Sequence, residues 1–190
     1  MNKNRIEAFS DGVLAIIITI MIIEIRAPHE SSFEALEPLI PVFLSYILSF
    51  TYVGIYWNNH HHMFQSIKSV NGAVLWLNMH LLFWLSLIPF VTSWIGEQHF
   101  SAVPMSIYGF VLMMSAIAYF TLQNKLIHLQ GKESILKNAI KDDKKGKISL
   151  LFYFLAIPLA FISPWISGMF YIAVAVLWIV PDKRIENLIE

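Results

Sequence analysis

Cysteine is absent from the 190-residue chain. Disulfides and thiolate metal sites are thereby excluded, and the sequence carries no mark of its redox compartment. Charge is scarce as well: Asp, Glu, Lys and Arg make up 14% of the residues, against roughly 25% in a soluble domain. Thirteen acids and thirteen bases cancel to a formal net charge of zero, which argues neither for nor against a charged partner. There is no Gly-rich phosphate loop and no G-x-S-x-G nucleophile turn, and no internal repeat or second soluble domain can be traced. What is abundant is apolar. The hydrophobic residues amount to 57% of the chain, and the mean hydropathy is +0.62. Aromatic residues make up 14%, six of them Trp, which suits the belts at membrane–water interfaces.

A bilayer core of about 30 Å takes roughly 20 apolar residues per helix. The apolar runs predict spans near 6–26, 38–58, 73–95, 102–124, 148–163 and 166–181. The first four are adequate in length. The last two are short, with Pro164, Ser167 and Gly168 at their junction, and they read as a tight hairpin whose reach Lys147 and Lys183 extend by snorkelling to the headgroups. The first run does not read as a cleaved signal peptide, because Arg5, Glu7 and Asp11 interrupt its apolar core and no small-residue cleavage site follows. The expected fold is an all-α integral membrane protein, a single domain of six transmembrane helices over residues 1–190. A soluble helical bundle is the competing architecture.

The basic residues orient the spans. Lys3 and Arg5 precede the first run, Lys68 lies between the second and third, and Lys183 and Arg184 follow the sixth. Lys125, Lys132, Lys137, Lys141, Lys144, Lys145 and Lys147 lie between the fourth and fifth. Only Arg26 falls on the other side, so six spans gather twelve of the thirteen basic residues on one face. The positive-inside rule makes that face cytoplasmic, with both termini there. The polar stretch from Asn124 to Lys147 reads as a helical extension and connector with a solvated face at the level of the lipid headgroups.

Candidate chemistry is sparse. His60, His61 and His62 are consecutive, and on a helix they diverge by about 100° each, so they cannot share one metal unless the helix ends there. His29, His80, His99 and His128 stand in no H-E-x-x-H or H-x-x-x-H arrangement. No metal site, no cofactor, no catalytic residue and no nucleic-acid partner is expected, and the chain does not read as an enzyme. Asp11 is different, because a carboxylate at the edge of a span is costly and usually partnered. One reading is a polar clamp in which Asp11, with Arg5, His60 or His61 and Asn78, fixes the first span against the second and third. The other is an interfacial acid favoured by the helix N-terminus.

The first run also has two faces. With Ile16 as zero and 100° per residue, Ile20 falls at about +40°, Phe9 at about +20°, Ile23 at about −20°, Gly12 at about −40° and Thr19 at about −60°. Ser10 and Asp11 point to roughly the other side. Periodicity alone makes the isoleucine stripe a packing face or a lipid face.

The stretch R-I-E-A-F-S-D, residues 5 to 11, resembles the R-x-x-x-F-S-D signature that opens the first helix of the transmembrane-protein-175 family of potassium channels. Arg5, Phe9, Ser10 and Asp11 are the matching residues. The paired histidines after Trp57 and the stretch W-L-N-M-H-L-L-F-W-L-S-L-I-P-F-V-T-S-W-I-G-E, from Trp76 to Glu97, are similar to the family too. The resemblance covers the six-span layout and the length of one repeat. It implies a cation channel whose first helices line a central pore. A single repeat implies a homotetramer in the plasma or inner membrane, with potassium as the permeant ion.

The resemblance further implies that Ile16, Ile20 and Ile23 form a layered hydrophobic constriction, with Thr19 offering an oxygen to a passing ion. Neither the family nor this chain has the TVGYG carbonyl filter. Glu24, near the outer end, is expected to raise the local cation concentration. A weakly selective or proton-permeable channel is the first alternative. A secondary transporter is less favoured, because the first run has an unbroken isoleucine core and no midplane charge. An accessory membrane protein is the third alternative. No arginine ladder for steep voltage gating occurs.

Overall fold

The computed structural model describes residues 3–67, 69–131 and 143–179. All regular structure among them is helical. The helices are α1 (Asn4–Ile23), α2 (Ile40–Gln65), α3 (Gly72–Ser86), α4 (Ile88–Glu97), α5 (Ala102–Gln130), α6 (Lys144–Leu159) and α7 (Pro164–Ile179), with a 3-10 turn at Glu34–Leu39 leading into α2. Each of the six predicted runs finds a helix or helix pair, shifted by a few residues. Of the basic residues used for orientation, Lys68, Lys132, Lys137, Lys141, Lys183 and Arg184 lie outside the described residues, as do the last two positions of the sixth run.

Local chemistry sets the boundaries. Pro41 stands in the first turn of α2, where its missing N–H costs nothing. Asn71 caps α3 by accepting from the Val74 amide at 3.1 Å, and Asp143 caps α6 by accepting from the Gly146 amide at 2.9 Å. Gly131 ends α5 with φ at +68°, a conformation open to glycine. Pro89 has no N–H to give the Leu85 carbonyl, so the third apolar run breaks at Leu87 into α3 and α4. The last turn also falls where a proline directs it. Ala160–Ser163 form the bend, Pro164 starts α7, and Ser167 and Gly168 lie inside that helix rather than in the connection. The Ser167 hydroxyl donates to the Ala156 carbonyl at 2.6 Å and closes the α6–α7 pair.

Among the described residues, four helical stretches are long and apolar enough to cross a membrane: Asn4–Ile23, Glu34–Gln65, Gly72–Glu97 and Ala102–Gln130. α6 and α7 have 16 residues each, about 24 Å of helix. α5 is central, with 61% of its apolar window buried, whereas α1 is peripheral at 28%. α5 packs on α3, α4, α6 and α7, while α1 lies against α2, α3 and α4. The close approach of α2 and α4 depends on Gly96, where an added Cβ would stand 2.7 Å from the Val42 backbone.

Several buried hydroxyls within the bundle are satisfied across helices, as an apolar surround favours. The Tyr52 hydroxyl donates to the Tyr171 carbonyl at 2.6 Å, and the Tyr171 hydroxyl to the Met105 carbonyl at 2.9 Å. A string of hydroxyls runs from Tyr108 to Ser49 at 3.0 Å and on to Thr92 at 2.6 Å, ending at the Ile88 carbonyl. These bonds hold α2, α4, α5 and α7 together behind α1 and give it a fixed platform.

Candidate functional site

The inward face of α1 is Ile6, Ser10, Leu14, Ile17 and Met21, all buried. Steps of three and four residues keep these side chains on one stripe of the helix. The opposite face is open. Phe9 is 51% exposed, Ile16 60%, Ile20 41% and Ile23 70%, and Gly12 and Thr19 are exposed beside them. The stripe expected from periodicity is therefore one that the chain itself does not cover. The Thr19 hydroxyl donates to the Ala15 carbonyl at 2.8 Å. Its proton is occupied, and its lone pairs point to no donor of the described chain.

The polar head divides into two strings. In the first, the Asn78 amide donates to the Ser10 hydroxyl at 2.9 Å, and the Asn78 carbonyl oxygen lies 2.8 Å from His60 Nε2. With the amide nitrogen committed to Ser10, the remaining oxygen accepts, so His60 carries its proton on Nε2. Ser10, Asn78 and His60 are all buried, and the His60 ring stacks on Phe64 at 4.5 Å. Three helices, α1, α3 and α2, are joined by two hydrogen bonds in a place where water does not compete.

The second string is exposed. Trp57 donates from its indole nitrogen to Asp11 Oδ1 at 3.0 Å. The Trp57 ring stacks on His61 with planes 17° apart, and Gln65 donates to His61 Nε2 at 2.7 Å. Ser10 and Asp11, expected together on the side away from the isoleucine stripe, are thus separated. Successive residues diverge by about 100°, which buries Ser10 and leaves Asp11 on the flank against α2. The hydrogen-bond partner of Asp11 is Trp57, not a histidine. Trp57 was missed by sequence reasoning, although its place four residues before His61 puts the two on one face. Lys3 was missed too. Its ammonium donates to the carbonyls of Phe64 at 2.9 Å and Gln65 at 3.3 Å, tying the start of α1 to the open end of α2. Arg5 is exposed at the same end.

The histidine run does not converge, because α2 continues to Gln65. Among the described residues no three His, Cys, Asp or Glu side chains gather to hold a metal.

Residues 5–89 match the family described as "Endosomal/lysosomal potassium channel TMEM175". A protein of Chryseobacterium sp. (strain P1-3) named a potassium channel is 56% identical over 100% of this chain and 99% of its own length. The chain belongs to the TMEM175 family. It also aligns with the crystal structure of a lysosomal potassium-selective channel TMEM175 homolog from Chamaesiphon minutus, with a TM-score of 0.81 over 95% of this chain and 97% of that one, at 29% identity. The human TMEM175, named an endosomal/lysosomal proton channel, is 36% identical over 90 residues, 41% of this chain and 18% of that protein. Family membership makes the chain a multi-pass membrane protein of the ion-channel class and not an enzyme. The matched residues run from Arg5 through Pro89 and contain α1 from its second residue on, with both hydrogen-bonded strings of the polar head.

Proposed function

We propose that the protein is a potassium-preferring passive channel. Four copies surround a central pore lined by α1. The α6–α7 pair supplies the last two of six spans, and both termini are cytoplasmic in the cell membrane. The single observation that carries the reading is the open stripe of α1. Together with Phe9, Ile16, Ile20 and Ile23 are the large side chains of the helix face that the chain leaves uncovered, on the helix where the family match begins. The potassium-channel names of the Chryseobacterium and Chamaesiphon proteins support the choice of ion.

The mechanism follows from the lining. Four isoleucines at one level make a narrow apolar ring, which closes to ions by dewetting. When wider, the ring strips part of the hydration shell from a passing cation. Potassium holds its water less tightly than sodium, so the barrier is lower for potassium. The free lone pairs of Thr19, between the Ile16 and Ile20 levels, replace part of the lost hydration. The buried Ser10–Asn78–His60 string keeps α1 at a fixed rotation, so Ile16, Ile20 and Ile23 face the axis and the stripe from Ile6 to Met21 stays buried.

The test is the double substitution Ile16→Asn and Ile23→Asn. It puts amides where the ring excluded water and is expected to raise sodium permeation relative to potassium, seen as a reversal potential displaced toward zero. An unchanged potassium-to-sodium ratio would remove the isoleucine ring from the mechanism. A proton-permeable pore is the second reading, favoured by the name of the human relative. Reversal that follows a pH gradient at fixed potassium distinguishes it.

A further inference from the structure

A cleft of about 480 Å³ opens beside the outer half of α1, lined by Ile20, Glu24, Phe90, Ser93, Trp94 and Glu97. Its walls combine the end of α1 with the exposed side of the α3–α4 break. Two features make it unlike a lipid-facing groove. Glu24 and Glu97 both border it, and the Ser93 hydroxyl donates to Glu97 Oε1 at 3.3 Å. Carboxylates facing hydrocarbon are costly, so acyl chains are poor occupants. Ile20, one of the stripe residues, forms part of the wall, so the cleft borders the open face of α1, and a neighbouring copy placed beside the pore lining lies against it.

Arg26 supplies the complementary charge. It is the one basic residue on the outer side in the proposed topology. It is exposed two residues beyond Glu24, with no ion pair within the chain among the described residues. We infer that the cleft is the seat of a second copy of this chain, whose first-helix end fills it and whose Arg26 lies against Glu97. The inference rests on the tetrameric reading and adds the surface by which the subunits meet. Each subunit brings one Arg26 to a cleft with two carboxylates. One negative charge per subunit is left at the outer mouth, where it concentrates cations.

The absence of native cysteine makes the test direct. A variant carrying Arg26→Cys and Glu97→Cys is treated in vesicles with a short bismaleimide and run on a denaturing gel, beside each single variant and beside the light-scattering mass of the uncrosslinked protein. The expected result is a ladder of covalent dimers to tetramers from the double variant and mainly monomer from the singles. A tetrameric mass with no ladder overturns this interface and leaves the assembly intact. A mass other than a tetramer's overturns the assembly and the interface together. If the cysteine pair does not fold, charge reversal decides. Arg26→Glu is expected to lower the tetramer fraction, and the exchange of Arg26→Glu with Glu97→Arg to restore it. Failure of the exchange to restore the fraction overturns the pairing.

Discussion

At the scale of single residues, the polar head explains how a helix with an exposed apolar stripe keeps one orientation. Ser10→Ala leaves the buried Asn78 amide without its acceptor, which costs about 1–3 kcal/mol. The variant is expected to melt at a lower temperature in detergent than the parent. Asn78→Leu, which orphans both Ser10 and His60, is expected to melt lower still. Trp57→Phe removes a hydrogen bond from an exposed site and keeps the stack on His61, so it is expected to shift the midpoint least of the three. Equal shifts in all three would deny that the buried string is the stronger tie. The Ile16, Ile20 and Ile23 stripe was legible in the sequence because a 100° step needs nothing but spacing. The pairing of Asp11 with Trp57 was not, because a tryptophan at a membrane border is expected to face the interface, and only the packing of α1 on α2 brings its N–H to the acid.

At the scale of elements, hydropathy located the runs but not their interruptions. The third run reads as one span because Ile88, Phe90 and Val91 continue its apolar character. Pro89 divides it by withholding one N–H, an effect that no hydropathy sum contains. Similarly, Pro164 was expected between the last two spans and instead begins α7, the position where its fixed φ suits a helix. Close packing of helices is the least legible feature. Nothing in the sequence distinguishes Gly96, whose Cβ would meet the Val42 backbone, from Gly72, which has open space around it. Gly96→Ala is therefore expected to destabilise the protein by about 1–3 kcal/mol through overpacking. Gly72→Ala is expected to leave the thermal midpoint close to that of the parent. Equal midpoints for the two variants would mean that α2 and α4 can part without cost.

At the scale of the whole molecule, an isolated chain leaves large apolar side chains uncovered on α1, and the proposed assembly gives them a purpose. In detergent, the scattering mass net of the micelle is expected to be four times the 21.8 kDa of the chain. The composition and the apolar runs were enough to read a multi-pass membrane protein, and the R-x-x-x-F-S-D stretch at residues 5 to 11 supplied the family. The exposed and buried sides of α1 needed the packed bundle, because an apolar stripe against protein and one against a pore have the same periodicity. The most direct test of the central claim is the reversal potential of the purified protein in a planar bilayer, with a potassium gradient opposed by sodium. A reversal close to the potassium equilibrium potential is the expected result. A reversal near zero with sustained current would contradict potassium preference, and no current from correctly assembled protein would contradict the channel itself.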